Sequence, residues 1–143
     1  MLEETSLFHI VMPEDLNPHE TLFAGQMAKW LVEASSVAAM RAVGKYEGVI
    51  MIKLTEVDYK KAILNSEVIE IRSKIAYTGK SSLIVNCKVF GNADSEPRVT
   101  AMAVFVTVDE QEKPFAHGLK LSEEYIKANR DIYEAALSIK KKG

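Results

Sequence analysis

Asp15, His19, Glu20 and Glu33 can each take or give a proton. They fall within one stretch, DLNPHETLFAGQMAKWLVE, that also carries the start of a helix. The first amides of a helix have no partner inside it, so they can hold an anion or a carbonyl oxygen on which negative charge is building. The segment LFAGQ places Ala24 and Gly25 in that first turn. Gly25 has no side chain to keep a ligand from its N–H, although the same glycine could serve only tight packing. The amide of Asn17 both donates to and accepts from a water, and Asn is also a turn former, here ahead of Pro18. His19 can act as an acid or a base. Glu20, just ahead of the helix, is favoured by the helix dipole. Glu33 can accept a proton or pair with Lys29 one turn before it.

The elements that must position these groups are legible from periodicity. Residues 6–12, SLFHIVM, read as a short strand, and PEDLNPHE, with two prolines, an Asn and an Asp, as a loop. Thr21 is positioned to cap a helix running to about Val43 and closed by Gly44. Strands are expected over 49–59, 66–79, 81–91 and 98–109. In the second of these Ile69, Ile71, Ile75 and Tyr77 share a face, and in the third Leu83, Val85, Cys87 and Val89 do. A second helix is expected over 122–142, with Tyr125, Ile126, Ile132, Tyr133, Ala136 and Leu137 as its apolar stripe. The tail KKKG is expected to fray. Between Ala28 and Met40 the first helix carries only the charges of Lys29 and Glu33, so its apolar residues run right around it, which predicts burial on most sides. One antiparallel sheet curled around this central helix, in an α+β chain with a C-terminal helix, is the simplest solution. Gly25, Lys29, Val32, Ser36 and Ala39 form a small-residue face on the helix. That face admits another backbone or a ligand, or simply fits the helix to its own sheet.

The 143 residues suit one domain, spanning 1–143, and 48% apolar composition supports a core without staples. Eighteen basic and 20 acidic residues, interspersed, leave a net charge of −2, which disfavours a nucleic-acid binder. A single cysteine, Cys87, excludes an internal disulfide and a multi-cysteine zinc site. The longest nearly apolar run, Ala34 to Ala42, is too short to span a bilayer, and no basic-then-apolar leader is visible. A cytoplasmic protein, with neither metal nor membrane partner, is expected.

Three segments resemble the hotdog-fold acyl-CoA thioesterases, in the acyl-CoA hydrolase branch, over about residues 7–117. VMPEDLNPHETLFAGQMAKWLVEAS is similar to that family's Pro, Asn, His-Gly-Thr-Leu-Phe-Gly-Gly and Trp-hydrophobic-Asp-Glu-Ala pattern. VDYKKAILNSEVIEIRSKIAYTGKSSLIVNCKVF is similar to its strand, its turn with Pro and Gly-Asp, and its strand ending in Thr-Gly-Arg-Ser-Ser. AVFVTVDEQEKPFAHG is similar to its last strand and Asp-x-x-x-Lys-Pro hairpin.

The resemblance implies hydrolysis of an acyl-CoA thioester to free acid and CoA, with CoA present only as part of the substrate and no other cofactor. It implies a homodimer with sites at its interface, assembled further into a trimer of dimers or a tetramer. It assigns carbonyl polarisation to Gly25 and the handling of water to Asn17 and a helix carboxylate. Substrate contacts fall to His19, Phe23, Lys60, Lys61 and the turn Thr78, Gly79, Lys80, Ser81, Ser82, where the lysines can meet phosphates or be ordinary solvated side chains. The carboxylate departs from the pattern: the family's Asp position holds Val32, and Glu33, the next residue, points about 100° away. Glu33, Glu20, Asp15 and His19 are the alternative bases. Glu20 also stands where the family has Gly, and KAILNSE lacks the Pro and Gly of its turn, which is therefore expected to be reshaped. His117, near the end of the last hairpin, is a minor candidate, and most such histidines are simply exposed. A non-hydrolytic acyl-CoA-binding hotdog protein is the alternative. A dehydratase ranks below both, because His9 and His19 do not match the His-plus-carboxylate pattern that chemistry needs.

Overall fold

A computed structural model describes residues 2–44 and 48–142. The strands are β1 (Thr5–Ile10), β2 (Val49–Tyr59), β3 (Val68–Thr78), β4 (Ser82–Phe90) and β5 (Val99–Thr107). They form one antiparallel sheet in the order β1-β3-β4-β5-β2. The helix α1 (Ala24–Val43) touches every strand on one face, and α3 (Arg130–Lys142) packs on β3 and β4 on the other. The expected curled sheet around a central helix is what forms.

Alternation explains the inner layer. Ile69, Ile71 and Ile75 of β3, Leu83, Val85, Cys87 and Val89 of β4, and Val99, Ala101, Ala103 and Phe105 of β5 pack with Met27, Leu31, Ala34 and Ala38 of α1. Each such large side chain contributes about 1.5–3 kcal/mol on burial. Tyr77 does not join them. The β3–β4 register passes from Ile75↔Val85 to Tyr77↔Ile84, so a bulge adds Ala76 and reverses the alternation. Tyr77 therefore packs in the outer layer with Ala76, Ile84, Met102, Ile132, Ala136 and Ile139.

Four further expectations are corrected. The first strand ends at Ile10 rather than residue 12. The helix begins at Ala24 with Phe23 as an N-cap that makes no side-chain hydrogen bond. Thr21 does not cap it, because its hydroxyl accepts from Asn17 Nδ2 at 2.9 Å and its backbone bridges Leu64. The C-terminal segment forms two helices, α2 (Glu123–Ala128) and α3, broken at Asn129, whose Nδ2 donates to the Tyr125 carbonyl at 2.9 Å while its Oδ1 accepts from Lys74 Nζ at 3.0 Å. The lysine tail is helical through Lys142, and Gly143 lies outside the described residues.

The C-terminus of α1 is as expected: Gly44 takes the left-handed conformation, φ 81°, and its N–H reaches the Met40 carbonyl. The helix is less enclosed than its composition predicts. Met27, Trp30, Leu31, Ala34, Ser35, Ala38 and Ala39 are buried, whereas Gly25, Lys29, Val32 and Glu33 are exposed and Ser36 is half-buried. One flank of α1 is thus open in the single chain. So is the edge strand β2, where Ile50, Ile52 and Tyr59 are exposed.

Candidate active site

The loop before α1 is organised by its own side chains. Asn17 Oδ1 accepts the N–H groups of His19 (2.9 Å) and Thr21 (3.2 Å), and the Asn17 and Thr21 backbones close the turn at 2.8 Å. The turn former and the water-handling amide were both open readings of Asn17. Its oxygen is committed to the turn, and one Nδ2 hydrogen remains beyond the bond to Thr21. The reversal requires a left-handed residue at Glu20, φ 63°. Asp15 is buried, with Oδ2 accepting from the Met12 N–H at 2.8 Å and Oδ1 from Gln26 Nε2 at 2.7 Å. That carboxylate ties the loop to the first turn of α1. His19 and Glu20 are exposed beside it.

These contacts leave the helix start open. Gln26 and Met27 donate to the Phe23 carbonyl, but no described residue accepts from the N–H of Ala24 or Gly25, and both residues are exposed. Two unpaired donors point out of a helix N-terminus, where the dipole reinforces them. A side chain at Gly25 would collide with the Phe23 ring, so the glycine first makes room for Phe23, itself 55% exposed. Tyr59, at the end of β2, donates its hydroxyl to the Ala24 carbonyl at 3.0 Å. Partial burial raises the pKa of that hydroxyl, keeping it a donor. Sequence reading missed Tyr59, whose only mark was its place beside Lys60 and Lys61. A cleft of about 220 Å³ runs here between Thr21, Met27, Tyr59, Lys60, Lys61 and Ile63. Asn17, His19, Phe23, Gly25, Lys60 and Lys61 are therefore gathered at one end of the molecule.

Glu33 and the Thr78–Ser82 turn are elsewhere. Glu33 lies eight residues beyond Gly25, about 12 Å along the helix. Its Oε1 is 3.3 Å from Nε2 of His9, which stacks on Trp30 at 4.2 Å between ring centroids. The two are close enough for an ion pair when His9 is protonated. They are not aligned as a hydrogen bond, and that buried nitrogen has no hydrogen-bond partner among the described residues. Glu33 thus faces His9 rather than pairing with Lys29. The Thr78–Ser82 turn sits where β2 starts, since Ser81 O accepts from Thr107 N and Thr107 is paired with Val49. Tyr59 and the helix start mark the other end of β2, roughly 30 Å away at 3.3 Å per residue.

In the turn after Lys61, which lacks a glycine, Ser66 takes the left-handed conformation, φ 69°. Arg98 fixes it from below. The guanidinium is buried and donates to Glu67 Oε1 (2.7 Å), Asp94 Oδ2 (2.7 Å) and the Ala62 carbonyl (3.2 Å). Its hydrogen bonds hold the Glu67 and Asp94 carboxyls below their usual range. His117 is half-buried and hydrogen-bonded rather than simply exposed. No cluster of His, Cys, Asp and Glu able to hold a metal exists among the described residues, and no helix among them is long and apolar enough to cross a membrane.

Comparison with known proteins places this geometry. The chain is 28% identical over 108 residues to an uncharacterized acyl-CoA thioester hydrolase of Bacillus subtilis (strain 168), a match covering 73% of this chain and 62% of that one. The chain thus spans less than two thirds of that relative's length. Its backbone matches an acyl-CoA hydrolase of Staphylococcus aureus, solved with butyryl coenzyme A, coenzyme A and coenzyme A disulfide, with a TM-score of 0.81 at 21% identity, covering 97% of this chain and 82% of that one. It also matches a hexameric hotdog-fold thioesterase of Campylobacter jejuni, with a TM-score of 0.69 at 24% identity, covering 90% and 97%. These likenesses establish the hotdog fold. The family model of the thioesterase superfamily matches residues 19–97, more than half of the chain, and this protein belongs to that superfamily.

Proposed function

We propose that the protein is an acyl-CoA thioesterase, hydrolysing an acyl-CoA thioester to the free acid and CoA. The observation that carries this reading is the pair of unpaired N–H groups, Ala24 and Gly25, at an exposed helix start beside a cleft. Such donors stabilise the oxyanion that forms when water adds to a thioester carbonyl, and loss of one such donor typically costs about 10²–10³ in rate. The thiolate leaves without help. Asn17, through its remaining Nδ2 hydrogen, is assigned to hold the attacking water, and Glu33 to take its proton. The membership in the superfamily and the thioester hydrolase name borne by the B. subtilis relative support the reading.

A homodimer goes with it. The helix start and the Thr78–Ser82 turn lie at opposite ends of one chain, so one substrate cannot touch both within a single protomer. Apposing two open β2 edges antiparallel about a two-fold axis brings one protomer's turn toward its partner's helix start. The same pairing covers Ile50 and Ile52 and the open flank of α1 with Val32 and Glu33. The base and the polarising amides at one thioester then come from different protomers. Further assembly to a trimer of dimers accords with the hexameric state of the Campylobacter relative. A cytoplasmic location, as expected from the sequence, accompanies the reading.

One observation favours a second reading, non-hydrolytic acyl-CoA binding. The resemblance puts Val32 where the family has its carboxylate, and Asp15 has both oxygens engaged. Purified protein incubated with acyl-CoAs of several chain lengths and a thiol reagent separates the two. Release of CoA above buffer supports hydrolysis, and Val32→Asp should raise it. Saturable binding without release, in both the wild type and Val32→Asp, means the chain binds acyl-CoA and does not cleave it.

A further inference from the structure

The Tyr59 hydroxyl donates to the Ala24 carbonyl at 3.0 Å, and that carbonyl belongs to the peptide linking Ala24 to Gly25. The N–H of the same peptide is the Gly25 donor that no described residue accepts. A peptide unit is planar and trans, so its C=O and N–H point in opposite directions from one rigid plate. A hydrogen bond to the oxygen therefore does two things at the nitrogen. It fixes the direction of the N–H, and it draws electron density toward the oxygen, which makes the N–H a stronger donor. The helical ladder engages one lone pair of a carbonyl and leaves the second for a group such as this hydroxyl.

Both ends of this contact are anchored. Tyr59 pairs with Val99 at the end of β2, and the next two N–H groups, of Lys60 and Lys61, both donate to the Arg98 carbonyl, at 2.7 and 3.2 Å. Arg98 is itself buried and bonded to Glu67 and Asp94. On the helix side, Phe23 donates its N–H to the Asp15 carbonyl at 2.9 Å, and Asp15 Oδ1 accepts from Gln26 Nε2 at 2.7 Å. The Ala24–Gly25 peptide lies between these anchors, in a first turn short of internal partners and next to a glycine, where the backbone is freest. Tyr59 is 48% exposed, so burial does not require its hydroxyl to find a protein partner.

We propose that Tyr59 is a positioning residue for hydrolysis: through the Ala24 carbonyl it aims and polarises the Gly25 N–H that meets the thioester oxygen. This rests on the thioesterase reading and adds to it a residue that acts on the carbonyl site from the neighbouring strand. The thioester oxygen carries its greatest charge in the tetrahedral transition state, so a better-aimed donor lowers that state more than the bound substrate. The effect therefore falls on kcat and leaves KM little changed. Without the hydroxyl the Gly25 N–H is still present, so the loss is that of one neutral hydrogen bond rather than of the oxyanion donor.

Tyr59→Phe in the full-length protein keeps the ring and removes the hydroxyl. It should lower kcat for an acyl-CoA about three- to tenfold with KM little changed. Two non-cleavable ligands separate this role from a structural one. A trifluoromethyl ketone analogue of acyl-CoA hydrates to a tetrahedral centre and presents an oxygen where the thioester oxygen would be. An S-alkyl-CoA thioether of the same chain length has no such oxygen. Tyr59→Phe should bind the ketone about three- to tenfold more weakly and the thioether as the wild type does. Equal weakening of both ligands marks a structural role and overturns the proposal. An unchanged kcat and ketone affinity, with the wild type active, overturns it and leaves the thioesterase reading standing. If the wild type cleaves no acyl-CoA, the thioesterase reading fails, and Tyr59 is judged on the two ligands alone. A ketone-to-thioether affinity ratio that falls in Tyr59→Phe then upholds its action on the Gly25 N–H, whereas an unchanged ratio, or no binding of either ligand, overturns it.

Discussion

Two polar regions lie only a few residues apart and are built on opposite principles. Around Arg98 a buried guanidinium is surrounded by Glu67, Asp94 and the Ala62 carbonyl, which tie together the segments after β2 and between β4 and β5. At the start of α1 the Asn17 oxygen and both Asp15 oxygens are consumed in shaping the loop, and the Ala24 and Gly25 N–H groups are left over. Buried polar groups are nearly always paired, so the first region is what structure alone requires. Donors left open at an exposed helix start are free to meet water or, in the function proposed above, a substrate oxygen. Pairing in one region and its lack in the other is the contrast that the predictions below test.

The largest expected effect falls on the site side. Glu33→Gln should lower turnover by about 10²–10⁴, the usual cost of losing a general base, with little change in acyl-CoA binding. Single-turnover kinetics alongside CoA titration measures both. If Glu33→Gln is mild, the same measurement on Glu20→Gln decides whether the loop carboxylate takes the proton instead.

On the scaffold side, Arg98→Met should destabilise the fold by about 3 kcal/mol, because it leaves Glu67 facing a buried apolar group. Urea unfolding near neutral pH gives the value. Acid sharpens the contrast. The Glu67 and Asp94 carboxyls are held low by Arg98, so the unfolded chain takes up protons first as pH falls. Their stabilisation is complete above the ordinary carboxylate range, about pH 4, and is lost as pH drops through their lowered values. Arg98→Met should flatten the stability profile in that acid window and leave the shape above it unchanged.

Cys87 offers a smaller check with a practical consequence. It lies in the sealed layer between sheet and α1, against Ser73 at 3.3 Å, and burial pushes its thiol up to about 11. Near neutral pH the native protein should not react with a thiol reagent within minutes, and one equivalent should appear on unfolding. A fast native reaction would mean that this layer opens.

What the sequence disclosed follows from how local each signal is. Alternation located the inner face of β4, alternating stretches marked β2 despite its two register shifts, and Gly44 marked the end of α1. Tyr77 was placed on the wrong face because a bulge at Ala76 leaves no mark in the residue pattern. The break at Asn129 was missed because a single Asn inside a helical stripe looks tolerable. Beside the cleft, the placing of Ala24 and Gly25 in the first turn of α1 was legible, whereas its cap was misplaced at Thr21, whose pairing with Leu64 is a long-range contact. The Glu33–His9 contact was not, because it joins a helix to a strand 24 residues earlier. The bonds of His117 to the turn span 35 residues and carry no local signature.

Glu20 is the residue at which scaffold and site overlap, and it yields the smallest predicted effect. Its φ of 63° is a conformation that costs a side-chain-bearing residue about 1–2 kcal/mol, offset in part by the greater chain entropy glycine loses on folding. Glu20→Gly should therefore raise stability by about 0.5–1 kcal/mol, read as a rise in Tm. The side-chain charge, three residues ahead of the N-cap Phe23, is a separate contribution. Glu20→Gln, which keeps the strain and removes the charge, measures that part alone. If Glu20→Gly gains nothing while Glu20→Gln loses a few tenths, strain and charge are balanced and the loop tolerates Glu20 for its position beside the open amides. A loss of turnover in Glu20→Gln larger than the loss of stability would transfer Glu20 from the scaffold to the chemistry.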